Sequence, residues 1–298
     1  MLDSKLTTFI QVAKLKSFTK AADTLNLTQP AVTQHIKQLE EFYGVRLIKK
    51  NGRQISLTEE GELLLQHAKE FEAKEVLLER KLRNKSALVK RYTIGATLTI
   101  GEYVLPYFLG EHKRLYNSID IVMQVNNSEV ILKKLISGEI DLGVIEGPFD
   151  KSRFQYKKLK EDELVLVCSP LDSFVKCSKV GIGDIIKRGK LILREKGSGT
   201  RMVFENKLVA LGHNLSDVKV YMEVGSIGAI KSLVEANLGY TVISREAVKR
   251  EVEAGSLVII PMDGVRIMRE FNFIYSDHGP KDFIVGFMDF VVNQGAVI

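Results

Sequence analysis

FTKAADTLNLTQPAVTQHIKQLEEFYGVRLIKKNGRQISLTEEG, residues 18–61, carries three structural signals in close succession. Phe18, Ala21, Ala22 and Leu25 recur at i, i+3, i+4, i+7, the stripe of an amphipathic helix, and Ser17 stands before them as an N-cap. Asn26-Leu27 breaks the pattern, and Thr28 caps a further helix with Pro30 in its first turn. Val32, Ile36 and Leu39 turn that helix's apolar side inward, so Pro30, Thr33, Gln34 and Lys37 share the opposite, polar face. Two short helices, a tight turn and a helix with a small, polar outer start make a helix-turn-helix, which places its second helix in a major groove. Val45–Leu57 then reads as two strands around Asn51-Gly52, a type I′ hairpin, with Lys49, Lys50 and Arg53 at its tip. A basic hairpin in this position is a wing suited to phosphates or a narrow minor groove.

On the amino-terminal side, Leu6, Phe9, Ile10 and Ala13 give a first helix. On the other side, Thr58-Glu59-Glu60 opens a helix of about 30 residues, with Leu64, Ala68, Phe71, Leu78 and Leu82 at alternating four- and three-residue steps and Glu75 interrupting them. One apolar stripe on so long a helix predicts a linker that pairs two subunits.

Residues 18–61 strongly resemble, without gaps, the winged helix-turn-helix of LysR-type transcriptional regulators. The resemblance implies a dimerising linker helix, a two-lobed effector domain like periplasmic solute-binding proteins, homodimeric or homotetrameric assembly, and an interrupted palindromic operator in double-stranded DNA. RNA polymerase is a candidate further partner. Carried over by position, Gln29, Pro30 and Thr33 match residues that meet bases and phosphates, and Arg53 matches the wing arginine. Thr28, Gln34, Lys37, Lys49 and Lys50 complete the expected DNA-facing set. Gln34 departs from the family, where arginine is frequent, and glutamine suits adenine better than guanine.

Charge supports this division. The chain has 298 residues and a net charge of +6; residues 1–91 hold 17 Lys/Arg against 11 Asp/Glu, whereas residues 92–298 hold 26 of each. Only the first module is expected to meet a polyanion. No apolar run is long enough to span a membrane, and MLDSKLTTF has no pattern of an export signal, so a cytoplasmic protein is expected. Expected limits are 1–58 for the DNA-binding domain, 59–91 for the linker helix and hinge, and 92–298 for the effector domain. Its lobes would be 92–162 with 266–298, and 163–265.

Beyond residue 91, strand patterns at Tyr92–Ala96, Ile119–Val125, Leu142–Ile145, Leu164–Cys168, Leu191–Leu193, Tyr240–Ser244 and Phe271–Tyr275 alternate with helical ones near 101–115, 128–137, 200–211, 226–236 and 281–293. This predicts an α/β domain with largely parallel sheets. Residues 125–145 align with a second segment when Ser128 is set on Ser226, bringing Val144-Ile145 onto Val242-Ile243. Two similar units imply two lobes and a cleft.

Three kinds of segment offer helix N-termini to that cleft. ATLTIGEY supplies Thr97 and Thr99, expected before the helix, and Ile100; the repeats supply Ser128 and Ser226. REKGSGTR supplies Arg194, Gly197, Ser198, Gly199, Thr200 and Arg201. Hydroxyls and free N–H groups with nearby arginines favour a small anion. The frame of a nucleotide-binding Walker loop is missing. The segments around REKGSGTR also resemble, more weakly, the branch of the family that regulates carbon dioxide fixation and sulfite reduction.

An enzyme is not expected. His35, His67, His112, His213 and His278 are scattered without metal-ligand spacing, GxSxG does not occur, and Glu146 in GVIEGP offers one carboxylate near the cleft with no visible partner. No cofactor or metal is called for. The competing reading is a thiol redox sensor using Cys168 and Cys177, although Cys168 lies in the strand-like LVLVC, where a thiol is expected to be inert.

Overall fold

A computed structural model describes residues 3–51, 54–86 and 89–295. The chain divides into an amino-terminal unit running to Lys85 and a carboxy-terminal unit that takes up most of the remainder.

In the amino-terminal unit, α1 (Ser4–Leu15), α2 (Phe18–Leu25) and α3 (Gln29–Tyr43) pack around Phe9, Val12, Phe18, Ala21, Val32, Ile36 and Leu39. The expected caps form: Ser17 Oγ accepts from Lys20 N at 3.3 Å, and Thr28 Oγ1 from Ala31 N at 3.3 Å. Asn26, in the left-handed region at φ 53°, ends α2 and makes the tight turn. The hairpin β1 (Ile48–Asn51) and β2 (Gln54–Leu57) follows, with Asn51 opposite Gln54. Glu40 anchors it to α3, because Oε1 accepts from Leu47 N at 2.9 Å and Ile48 N at 3.3 Å. α4 (Glu59–Ser86) is the long helix. Its start is tied to the hairpin by Thr58, whose hydroxyl donates to Arg46 O at 2.7 Å and accepts from Gly61 N at 2.9 Å.

The carboxy-terminal unit runs β3 (Lys90–Thr97), α5 (Leu98–Tyr103), α6 (Leu105–Leu115), β4 (Ile119–Asn126), α7 (Ser128–Ile136), β5 (Leu142–Glu146), β6 (Gln155–Cys168), α8 (Ile182–Lys187) and β7 (Leu191–Leu193). It continues with α9 (Gly199–Ala210), β8 (Val220–Glu223), α10 (Ile227–Glu235), β9 (Tyr240–Ser244), α11 (Arg245–Glu253), β10 (Val258–Ile260), β11 (Ile267–Tyr275) and α12 (Lys281–Gly295). The sheet order is β4-β3-β5-β11-β6-β9-β7-β8, with β10 also on β6.

Each flank of this sheet is parallel, β4-β3-β5 on one side and β9-β7-β8 on the other. The expectation of largely parallel sheets is corrected at the centre. β6 and β11 pair antiparallel with each other, and each then joins one flank antiparallel. They are the two connections between lobes, so they must run in opposite directions. One lobe closes around Ile94, Leu142, Val144, Phe271, Phe273 and Phe287. The other closes around two clusters, on Leu166, Phe204, Tyr240 and Val242, and on Val167, Ile192, Ile230 and Ile243.

The helix expected at 101–115 is two helices. It starts earlier, at Leu98, and breaks at Val104 (φ −117°, ψ −58°), where Pro106 in the first turn of α6 cannot supply an N–H to continue α5. Thr99 therefore lies inside α5 rather than before it. Among the described residues no helix is long and apolar enough to cross a membrane.

Candidate functional site

Thr28, Gln29, Pro30, Thr33, Gln34 and Lys37 are all exposed on or just before α3, opposite its buried Val32, Ile36 and Leu39. Thr33 donates its hydroxyl proton to Gln29 O at 3.0 Å, which leaves its lone pairs outward. Lys49 is exposed on β1, the same strand that carries Lys50. Arg53 lies outside the described residues. The arrangement is a polar helix face with a basic hairpin held to the same helix by Glu40.

In the carboxy-terminal unit, polar groups gather where β6 and β11 pass between the lobes. Arg269 on β11 is the hub, with its side chain 2% exposed. Its Nε donates to Asp162 Oδ2 at 2.7 Å, Nη1 to Thr200 Oγ1 at 2.9 Å and Nη2 to Thr99 Oγ1 at 3.5 Å. Its Nη1 also lies 3.8 Å from Glu146 Oε1. Asp162, on β6, accepts from Ser244 Oγ at 3.0 and 2.9 Å. Thr99 and Glu146 come from one lobe and Thr200 from the other, so a single guanidinium spans the lobes.

Glu146 ends β5 fully enclosed. Thr97 donates its hydroxyl to Glu146 Oε2, which explains why that residue precedes α5 without capping it. Ser128 donates to the Glu146 carbonyl at 3.0 Å, and the cap of α7 is left to Asn127, whose Oδ1 accepts from Val130 N at 3.1 Å. Burial pushes the Glu146 pKa up; Arg269, Arg194 and the Thr99 hydrogen bond pull against that, and Asp162 adds to it.

Two glycines make the close approach of the lobes possible. Gly147 has φ +110°, and a Cβ there would lie 2.8 Å from Gly199 Cα. A Cβ on Gly199 would strike the Glu146 carbonyl oxygen and come within 2.6 Å of Ser128 Oγ. Arg194 is 3% exposed; its Nε and Nη2 donate to Glu195 at 2.8 and 2.9 Å, while Nη1 is buried with no hydrogen-bond partner among the described residues.

Thr97, Thr99, Ser128, Glu146, Arg194, Gly199 and Thr200 thus belong to or border one buried polar cluster. The others do not join it in the same way. Ile100 packs in a hydrophobic core. Ser198 is the buried N-cap of α9, and Gly197, at φ +87°, faces Asn127 and Glu129. Arg201 is committed to Glu205 and Glu223. Ser226 is exposed and only caps α10, accepting from Ala229 N at 3.3 Å, so the two aligned serines have different surroundings.

Asp162, Ser244 and Arg269 were not legible as site residues. A signal exists for Arg269: Ile267, Arg269 and Phe271 alternate on one strand face, so an arginine occupies an inward position. Cys168 is buried in β6 with its thiol pushed up to about 12 by desolvation, and Cys177 is exposed.

Fold and site together define a DNA-binding regulator with a two-lobed ligand-sensing domain. Residues 4–62 match the model for the bacterial regulatory helix-turn-helix protein, lysR family, and residues 86–295 match the LysR substrate binding domain. The chain belongs to the LysR family of transcriptional regulators. It is 33% identical to the HTH-type transcriptional activator CmpR of Synechocystis sp. over 267 residues, 90% of this chain and 86% of that one. It is 30% identical to a probable RuBisCO transcriptional regulator of Phaeodactylum tricornutum, over 91% and 89% of the two chains. The Synechocystis CcmR regulatory domain, solved in complex with 2-PG, is similar in structure at TM-score 0.62 and 25% identity, covering 68% of this chain and 96% of that domain. These relatives are named as regulators, not as enzymes.

Proposed function

We propose that this regulator binds a small anion between its lobes and that occupancy resets how it holds DNA. The observation that carries this reading is Arg194 Nη1, a charged donor buried without a partner among the described residues. Leaving such a donor unsatisfied costs about 1–3 kcal/mol or more, which an anion acceptor would offset. The Thr200 hydroxyl, which accepts from Arg269, and the start of α9 lie in the same cluster and add donors of the right kind. That the CcmR domain was solved with 2-PG supports an anion of this class.

On the DNA side, Gln29, Pro30, Thr33 and Gln34 are assigned to bases and phosphates, and Thr28, Lys37, Lys49, Lys50 and Arg53 complete the face set against an interrupted palindrome. A palindrome requires at least two copies. We assign dimerisation to the apolar stripe of α4, with the domain limits 1–58, 59–91 and 92–298 and the lobe limits given above, and tetramers and RNA polymerase as further levels of assembly. The effector acts only if it binds two arrangements of the chain unequally.

A thermal-shift screen of the full-length chain with 2-PG, sulfate, inorganic phosphate and small carboxylates tests the reading. Saturation at about 100 times Kd stabilises by about 2.7 kcal/mol, and Arg194→Gln should remove the shift. A shift that is equal in wild type and Arg194→Gln would contradict it. The redox alternative is disfavoured by the Cys168 thiol, which at about 12 holds almost no thiolate near neutral pH.

A further inference from the structure

The buried cluster, together with the partly exposed Glu195 at its border, holds more negative than positive charge. Facing Glu146 are Arg269 from β11 and Arg194 just after β7, opposed by Asp162 from β6. Thr97 from β3, Thr99 from α5, Ser128 from α7 and Gly199 with Thr200 from α9 bring no charge. Each guanidinium is matched without Glu146: Arg269 by Asp162 at 2.7 Å, Arg194 by Glu195 at 2.8 Å. With Glu146 ionised, two cations face three carboxylates. A dianion entering that group would meet a net repulsion in a medium of low dielectric.

We propose that anion binding between the lobes is coupled to the uptake of one proton, which resides on the Glu146 carboxyl group. This inference rests on the anionic-effector reading above. Protonation removes the third carboxylate charge and turns Glu146 from an acceptor-only group into one that can donate. Its occupied acceptors adapt readily, because the Thr97 hydroxyl can rotate. Glu146 then acts as the cleft's own anion: it lies 3.8 Å from the Arg269 guanidinium and yields its charge when a ligand arrives. It thereby selects for ligands with enough negative charge to replace it, and neutral sugars or amides gain nothing from the exchange. Burial raises the Glu146 pKa, the direction that favours holding this proton.

The test uses the full-length chain and sulfate, which keeps its charge between pH 6 and 9, so any proton change belongs to the protein. Isothermal titrations in two buffers of unlike ionisation enthalpy count protons directly. The expected result is an uptake that rises to about one proton per sulfate at the alkaline end, with affinity there falling about tenfold per pH unit. Glu146→Gln, which is permanently uncharged, should bind sulfate with no such slope and at least as tightly as wild type at pH 6. If that variant does not fold, the wild-type proton count decides alone. Sulfate binding with no proton uptake at any pH, or an unchanged slope in Glu146→Gln, overturns the proposal and leaves the anion reading standing. If neither sulfate nor 2-PG binds wild type at any pH, the anion reading fails and takes the proposal with it.

Discussion

Gln34 is exposed on the outer face of α3, and the absence of a charge on its side chain has a measurable consequence. Gln34→Arg should tighten DNA binding and steepen the fall of log K with log salt by about 0.9, the contribution of one added phosphate contact. Titrations at several salt concentrations check this, and an unchanged slope refutes it. Gly199 makes a second residue-scale case. Gly199→Ala drives a methyl into the Glu146 carbonyl, and overpacking of this kind costs roughly 1–3 kcal/mol. Urea unfolding should show the loss together with weaker anion binding, because the lobes can no longer meet at that point. His112 supplies a pH effect on stability. Burial among Tyr116, Phe287 and Phe290 lowers its pKa from the ordinary 6.5. Below pH 6.5 the unfolded chain takes up a proton that the folded chain resists, so stability is full above that pH and declines as the pH falls toward the folded value. Unfolding at pH 5.5 and 7.5 should differ less in His112→Phe than in wild type.

At the scale of elements, α4 divides its apolar stripe between two tasks. Leu64 packs against the helix-turn-helix core and Ala68 is 1% exposed, whereas Phe71, Leu78 and Leu82 stand 56–60% exposed. Such a solvent-facing stripe calls for a second copy. Leu78→Lys with Leu82→Lys should shift the light-scattering mass toward the monomer at fixed concentration, and an unchanged mass would move the interface elsewhere. The long periodic elements were legible because burial repeats at the period of the structure: α2, α3, α4 and β9 follow from sequence, and β11 only in its second half, Phe271–Tyr275, whereas the strand runs Ile267–Tyr275. β8 and β10 were missed. Each has only three or four residues, and β8 is mostly exposed, so neither shows a pattern. The site was half legible. Hydroxyls before or at helix starts are marked locally, which exposed Thr97, Ser128 and Thr200. The pairing of Arg269 with Asp162 spans 107 positions and is set by two antiparallel crossover strands that no local pattern specifies.

Across the whole molecule, the excess positive charge belongs to the DNA-binding part, and the sensor is neutral overall with opposed charges concentrated inside it. In the function we propose, that separation lets one part answer to DNA through counterion release while the other answers to a small anion through buried, unscreened pairs. The two are linked only if ligand and DNA prefer the same arrangement of the chain, and the linkage is reciprocal. The most direct measurement is a footprint of the full-length protein on a DNA fragment selected by its own affinity, with and without saturating 2-PG. 2-PG should change the length or pattern of protection for wild type and leave that of Arg194→Gln unchanged. An identical ligand-induced change in Arg194→Gln, or no change in wild type while calorimetry shows 2-PG bound, would contradict it.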